Sequence, residues 1–229
     1  MKSVLLLLPG AFTGVGGIEM FNRQLVRAFL EIGQERGFSV KTLILNDCTE
    51  DVDDRYIPRN SEPPRGFRRR KLLFAVEALR RAFVHRPDLV VWGHLHFAHL
   101  APLVRLSSSS SHHWFVAHGI EAWMPLTPAV RAGLGLAERI LAVSDYTRRE
   151  LSQTNGVPLE RIDLLPNALD EIWRRQYEAK PSDPPQLRAD SPTLLTVARL
   201  AASEKYKGVD SVIKILPRIA ERVPNVRYD

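Results

Sequence analysis

Residues 4–45, VLLLLPGAFTGVGGIEMFNRQLVRAFLEIGQERGFSVKTLIL, decide the fold through a change of hydrophobic period. Val4–Leu8 is continuously apolar, the pattern of a strand covered on both faces of a parallel sheet. After the loop Pro9–Gly17, the apolar positions Ile18, Phe21, Leu25, Ala28, Phe29 and Ile32 keep helical spacing. Gly37 supplies a helix stop, and Phe38–Leu45 reads as a second strand. Strand, glycine-rich turn, helix and strand make one βαβ step of an α/β sheet.

Working outward, residues 46–66 are acidic, then rich in proline, and read as a surface loop. A basic helix over about 67–85 leads to a strand at 88–92. Further strands are expected at 114–117, 139–143 and 162–165, with helices near 95–105 and 145–154. This alternation predicts an α/β, Rossmann-like, doubly wound parallel sheet. The stretch 178–190, EAKPSDPPQLRAD, suits a linker. Beyond it come a strand at 193–197, a loop with Arg199, Lys205 and Lys207, and a helix opening at Gly208. A lone strand–helix pair cannot cover both faces of a parallel sheet. The expected organisation is a complete domain over 1–177, a linker over 178–190 and the truncated start of a second Rossmann-like domain over 191–229.

Hydrophobic residues at 45% and charged residues at 25% fit a soluble globular chain. The net charge of +6 favours an acidic partner: nucleotide phosphates, an anionic membrane or nucleic acid. A single cysteine, Cys48, excludes an internal disulfide framework and fits a reducing compartment. No apolar run approaches the roughly 20 residues of a membrane span. The opening MKSVLLLLPG lacks a small-residue cleavage site and reads as a strand, not a leader. A cytoplasmic protein is expected, in contact with a membrane surface.

Three places could carry chemistry. Gly14, Gly16 and Gly17 stand between the first strand and helix, where free N–H groups and the helix dipole favour an anion. A dinucleotide fingerprint would need glycine at position 19, where Glu19 stands, so Glu19 is expected to face sugar hydroxyls. The alternative is a plain tight turn with a stabilising first-turn acid. His118-Gly119 follows the strand at 114–117, where the imidazole could bond a ligand hydroxyl or be satisfied by local backbone. Arg199, Lys205 and Lys207 follow the strand at 193–197; a bidentate Arg and a point-charge Lys suit a pyrophosphate leaving group, the alternative being a solvated basic loop. His94, His96 and His99 lack partnering cysteines or carboxylates, so no metal site is expected, and His94 or His96 is expected to line the cleft.

Projecting the basic helix at about 100° per residue gathers Leu72, Leu73, Val76, Leu79 and Phe83 on one face, expected to pack on the sheet. The opposite face gathers Phe67, Arg70, Phe74, Arg81 and His85. Arg70, Phe74 and Arg81 are accordingly expected to face an anionic membrane, or else to form a solvated basic face.

These sites, in this order, resemble the nucleotide-sugar glycosyltransferases of GT-B fold, specifically family 4. The carriers are Gly16-Gly17-Ile18-Glu19, AHGIEAW, ILAVSDYTRREL followed by IDLLPNALD, and VARLAASEKYKGVDSVI. The resemblance implies a retaining hexosyltransferase without metal or cofactor, using a GDP- or UDP-linked sugar and a glycan or lipid-linked acceptor. It implies that Arg199 and Lys207 grip the donor diphosphate, helped by backbone N–H groups of Gly16 and Gly17. His118 would contact the donor sugar, and Glu19 and His94 the acceptor or sugar hydroxyls. It further implies a role in cell-envelope polysaccharide or glycolipid synthesis at the inner face of the plasma membrane, with no nucleic-acid partner. Two departures stand out: the family's N-G-V-D is here Asn167-Ala168-Leu169-Asp170, and its donor-side E-x7-E segment is missing. Without that segment, donor binding by this chain alone is expected to be impaired. Rival readings are a GT-B-like nucleotide-sugar epimerase or phosphorylase, and an inactive acceptor- or membrane-binding domain. A dinucleotide oxidoreductase ranks last; Asp47 could serve its ribose, but Glu19 spoils its loop.

Overall fold

A computed structural model describes residues 2–178, 192–198, 200, 205 and 207–229. Contacts divide the chain into Met1–Tyr177 and Glu178–Asp229.

In the first unit the strands are β1 (Ser3–Leu8), β2 (Ser39–Ile44), β3 (Arg65–Gly66), β4 (Leu89–Trp92), β5 (His112–Ala117), β6 (Arg139–Ala142) and β7 (Ile162–Leu164). The helices are α1 (Gly17–Arg36), α2 (Lys71–His85), α3 (Ala101–Ser107), α4 (Ile120–Trp123), α5 (Pro128–Leu134), α6 (Asp145–Asn155) and α7 (Glu171–Glu178). The strands form one seven-stranded sheet in the order β3-β2-β1-β4-β5-β6-β7. Every pairing in it is parallel. From β1 the chain builds outward to β3, then returns to add β4 on the other side of β1. That reversal opens a crevice at the carboxyl ends of β1 and β4, where such sheets take ligands.

The continuous apolar run of β1 serves both faces of the sheet, because successive side chains point opposite ways. Val4, Leu6 and Leu8 pack with Phe21, Val26 and Leu30 of α1. Leu5 and Leu7 pack on the other face with Val90, Trp92, Phe115 and Phe74. Helix α1 ends as its sequence predicts: Gly37 adopts φ 72°, and its N–H donates to the Gly33 carbonyl. Residues 118–138, left without elements by the sequence pattern, hold α4 and α5. Helix α5 lies so close to the 3-10 segment Leu95–Leu100 that a Cβ on Gly133 would stand 1.7 Å from the Ala98 carbonyl oxygen.

Helix α2 is rotated relative to the projection. Its sheet face is Phe74, Glu77, Ala78 and Ala82; of the residues expected there Leu79 is half-buried against the core, whereas Leu72, Leu73, Val76 and Phe83 are exposed. Three causes act together. Phe74 completes an aromatic cluster, edge-on to Phe67 at 5.5 Å and stacked on Phe97 at 5.2 Å. Ala78 and Ala82 let the helix axis approach the sheet. Glu77, nearly buried, accepts from Arg80 (2.6 Å), Arg81 (2.8 Å) and Arg65 (3.2 Å). Phe74 is therefore 2% exposed and cannot face a membrane. Arg81 is likewise turned inward, bound to Glu77 and within 3.8 Å of Glu62, while Arg70 remains exposed. The loop at 46–66 also carries more order than expected, with 3-10 turns at Thr49–Asp51 and Asp54–Tyr56 and the edge strand β3.

The second unit holds β8 (Thr193–Leu194), α8 (Val209–Arg222) and β9 (Arg227–Tyr228), with β8 and β9 paired in parallel. Helix α8 begins after Gly208, which adopts φ 77°. No helix among the described residues is long and apolar enough to cross a membrane.

Candidate functional site

The crevice is framed by three strand ends. After β1, residues 9–16 cross to the start of α1, and this loop is braced from within. Asp47, just beyond β2 and fully buried, accepts from the Ala11 N–H (3.0 Å), the Phe12 N–H (2.6 Å) and the Thr13 hydroxyl (2.6 Å). Arg23 on α1 donates to the carbonyls of Ala11 (2.5 Å) and Gly14 (2.8 Å). Buried Asn22 donates to the Gly10 carbonyl at 2.8 Å. Buried polar groups need such partners. Asp47 is thus consumed by the loop, which also removes the ribose contact that the last-ranked oxidoreductase reading would have needed.

Glu19, in the first turn of α1, folds back against the loop. A Cβ on Gly14 would lie 2.8 Å from Glu19 Cγ, and one on Gly16 would lie 2.5 Å from Glu19 Oε2. These glycines thus make room for a carboxylate, not only for a turn. Gly16 caps α1 with extended backbone, and its carbonyl accepts from the Met20 N–H.

After β5, the His118 N–H donates to Glu121 Oε1 (2.7 Å) and the Gly119 N–H to Glu121 Oε2 (3.1 Å). The carboxylate closes the first turn of α4 and fixes the histidine backbone. The His118 ring meets Phe21 edge-on at 5.1 Å, and its Nε2 lies 2.9 Å from the Gly93 carbonyl. A carbonyl can only accept, so Nε2 carries the proton and Nδ1 is left as an acceptor. Burial lowers the His118 pKa, against the opposing pull of the Gly93 carbonyl, Glu121 and Glu19.

After β4, His94 stands 5.9 Å from His118, centroid to centroid. Its Nδ1 accepts from the His96 N–H at 3.2 Å, so its Nε2–H is directed toward Glu121 Oε1, 4.0 Å away. Burial drives the His94 pKa down to about 4, Glu121 opposing and His96 and His118 adding to the fall. Near neutral pH both imidazoles are uncharged. They can bond hydroxyl groups without repelling or fixing an anion.

His94 and His96 form a wall between two cavities. One, about 430 Å³, runs past Leu45, Lys71, Leu72, Phe74 and Phe97. The other, about 440 Å³, runs past Ile120, Glu121, Met124 and Val130. Among the described residues, no group of three or more His, Cys, Asp and Glu could hold a metal ion.

The structure brings Gly16, Gly17, Glu19, His94 and His118 to one edge of the first unit. Lys207, exposed just before α8, belongs to the second unit, and Arg199 lies outside the described residues. Reading residue types missed Glu121, whose signal is an acid two residues after a glycine at a strand end. It also missed Tyr56, which donates to buried Asp170 as Asp170 caps α7 by accepting from the Ile172 N–H at 2.9 Å. That pair accounts for the aspartate of Asn167-Ala168-Leu169-Asp170 without any glycine.

The sequence model of Glycosyltransferase Family 4 matches residues 15–172. No curated protein matches the sequence. Among solved structures, the fold is similar to Anabaena Alr3699/HepE in complex with UDP, at 14% identity and a TM-score of 0.56, covering 100% of this chain and 68% of that one. It is similar to the apo lipopolysaccharide outer core galactosyltransferase WaaB, at 14% identity and a TM-score of 0.57, covering 100% of this chain and 67% of that one. It is also similar to the UDP-GlcNAc 2-epimerase from Neisseria meningitidis bound to UDP-GlcNAc, at 13% identity and a TM-score of 0.51, covering 100% and 65%. At such identities the likeness is one of fold.

Proposed function

The chain belongs to glycosyltransferase family 4 and has the GT-B type of fold, and from that premise we propose that it transfers a sugar, with retention, from a UDP- or GDP-linked donor to a glycan or lipid-linked acceptor. The observation that carries this reading is the gathering of two neutral histidines, 5.9 Å apart, around Glu121 and beside Phe21 of α1. Sugar recognition calls for hydroxyl partners of defined direction, and His118 offers Nδ1 as an acceptor while His94 offers Nε2–H as a donor.

In this reading His118 contacts the donor sugar, and Glu19 and His94 meet acceptor or sugar hydroxyls. The N–H groups at Gly16 and Gly17 face the diphosphate, where the start of α1 favours negative charge. Arg199 and Lys207 neutralise the diphosphate as it leaves, a charge that grows toward the transition state. No metal or cofactor is called for. The apolar cavity beside His94 suits an acceptor with a hydrocarbon portion.

The test offers a panel of UDP- and GDP-linked sugars with lipid-linked acceptors to the protein and measures nucleotide release and product anomeric configuration. Transfer with retention is the expected result, and His118→Ala should lower it by about 100-fold or more. Near-normal turnover in that variant would remove His118 from the mechanism. An isomerised nucleotide sugar without acceptor would replace transfer with epimerisation. Acceptor binding without turnover would reduce the chain to a binding domain.

A further inference from the structure

Helix α2 turns its larger apolar stripe to solvent. Leu72, Val76 and Phe83 are 83%, 62% and 65% exposed, with Leu73 and Val84 exposed beside them. Helix α3 packs next to α2 and adds exposed Leu106. A contiguous ridge of this kind marks a contact surface, unlike the scattered apolar residues of any protein surface.

The ridge begins at a cationic turn, Arg68-Arg69-Arg70-Lys71. Arg68 and Arg69 are both left-handed, with φ 49° and 63°. Side-chain-bearing residues persist there only where the surroundings hold them, and such strain gathers at working surfaces. Here the Arg68 N–H donates to the Asp47 carbonyl and the Arg69 N–H to the Leu45 carbonyl, both at 2.8 Å. The turn therefore hangs from the same sheet edge as the crevice. Where turn and ridge meet lies a cavity of about 490 Å³, lined by Arg65, Arg68 and Arg70 on one side and by Leu73 and Val76 on another. The acids facing it are Glu50, paired with Arg68 at 3.1 Å, and Glu77, paired with Arg65 at 3.2 Å. The pairs of Arg65 and Arg68 are exposed on the arginine side and weak enough to yield to a phosphate.

We infer that this face of α2 lies on an anionic phospholipid bilayer, its ridge in the acyl boundary and its arginine turn among the headgroup phosphates. Charge selects this occupant: an apolar stripe bordered at one end by four consecutive cations matches an anionic interface. The face is the reverse of the one expected from Phe74. Lys71 and Leu72 also line the cavity that reaches His94. A lipid-linked acceptor would pass from bilayer to crevice along that route. The inference rests on α2 itself, and vesicle binding is read without turnover, so it stands or falls apart from the proposed reaction.

The test is co-flotation of the protein with vesicles of phosphatidylcholine alone and of phosphatidylcholine mixed with phosphatidylglycerol. Binding should favour the mixed vesicles by at least about tenfold. Arg69→Glu with Arg70→Glu should weaken it at least about tenfold. Leu72→Ser, Val76→Ser and Phe83→Ser together should abolish it while the circular dichroism spectrum stays unchanged. Absence of binding, equal binding to both vesicles, or unchanged binding by either variant would overturn the inference. So would a lipid-free dimer, seen by sedimentation, that the triple variant dissolves, since a second copy would then cover the ridge.

Discussion

Helices α1 and α2 cover opposite faces of the same sheet and obey the same hydrophobic period with opposite outcomes. In α1 the large apolar residues Phe21, Leu25, Val26 and Leu30 face the strands. In α2 the strands receive Phe74 and the small Ala78 and Ala82, and the larger stripe is left outside. The difference shows that periodicity identifies a face in need of a partner without naming the partner. α2 carries two such stripes, and close approach through alanines, together with the Phe67–Phe74–Phe97 cluster, decides which one meets the sheet.

The contrast can be broken most strongly at Phe74. Phe74→Ala should cost about 3–5 kcal/mol in urea unfolding, as an aromatic removed from a closed core. A value near zero would return α2 to the orientation projected from its sequence. A second effect comes from pH. Burial lowers the pKa of His94 and of His113 to about 4 each, from a usual value near 6.5. The folded state resists protons that the unfolded chain accepts, so their contribution is intact above about 6.5 and fades as pH falls toward 4. A Tm that drops over that window is expected. His113→Asn, whose Oδ1 can still accept from the Trp92 indole, should flatten the drop in part. The smallest effect belongs to the outer stripe. Phe83→Ala should change stability by no more than about 0.5 kcal/mol, and a loss comparable to that of Phe74→Ala would mean the ridge is already covered.

Much of the fold was legible because it rests on long, regular elements. The continuous run at Val4–Leu8, the spacing of α1 and the stop at Gly37 each have one physical meaning. The segment 118–138 was not legible, since helices of four and seven residues are too short to display a period. In the crevice, Gly16, Gly17, Glu19, His94 and His118 could be read from their positions after strand ends. Glu121 escapes that reading, because its signal, an acid two residues after a glycine at a strand end, gains meaning only once its bonds to the neighbouring backbone N–H groups are seen. Asp47 reads in the sequence only as a conditional ribose contact of the last-ranked oxidoreductase, and its part in bracing the loop stays hidden for a related reason: the loop's need for an acceptor shows only in three dimensions.

Asp47 also decides how freely this edge can be rewritten. It holds the first loop through two backbone N–H groups and one hydroxyl, and Arg23 holds two backbone carbonyls, so the loop's path does not depend on the side chain at 15. Phe12 packs against the core and meets Tyr56 edge-on at 6.1 Å, whereas Val15 is 88% exposed. Substitution at 15 changes the exposed face of the loop while the loop keeps its course. A loop held this way can change its outward side chain by point mutation with little effect on how the chain folds.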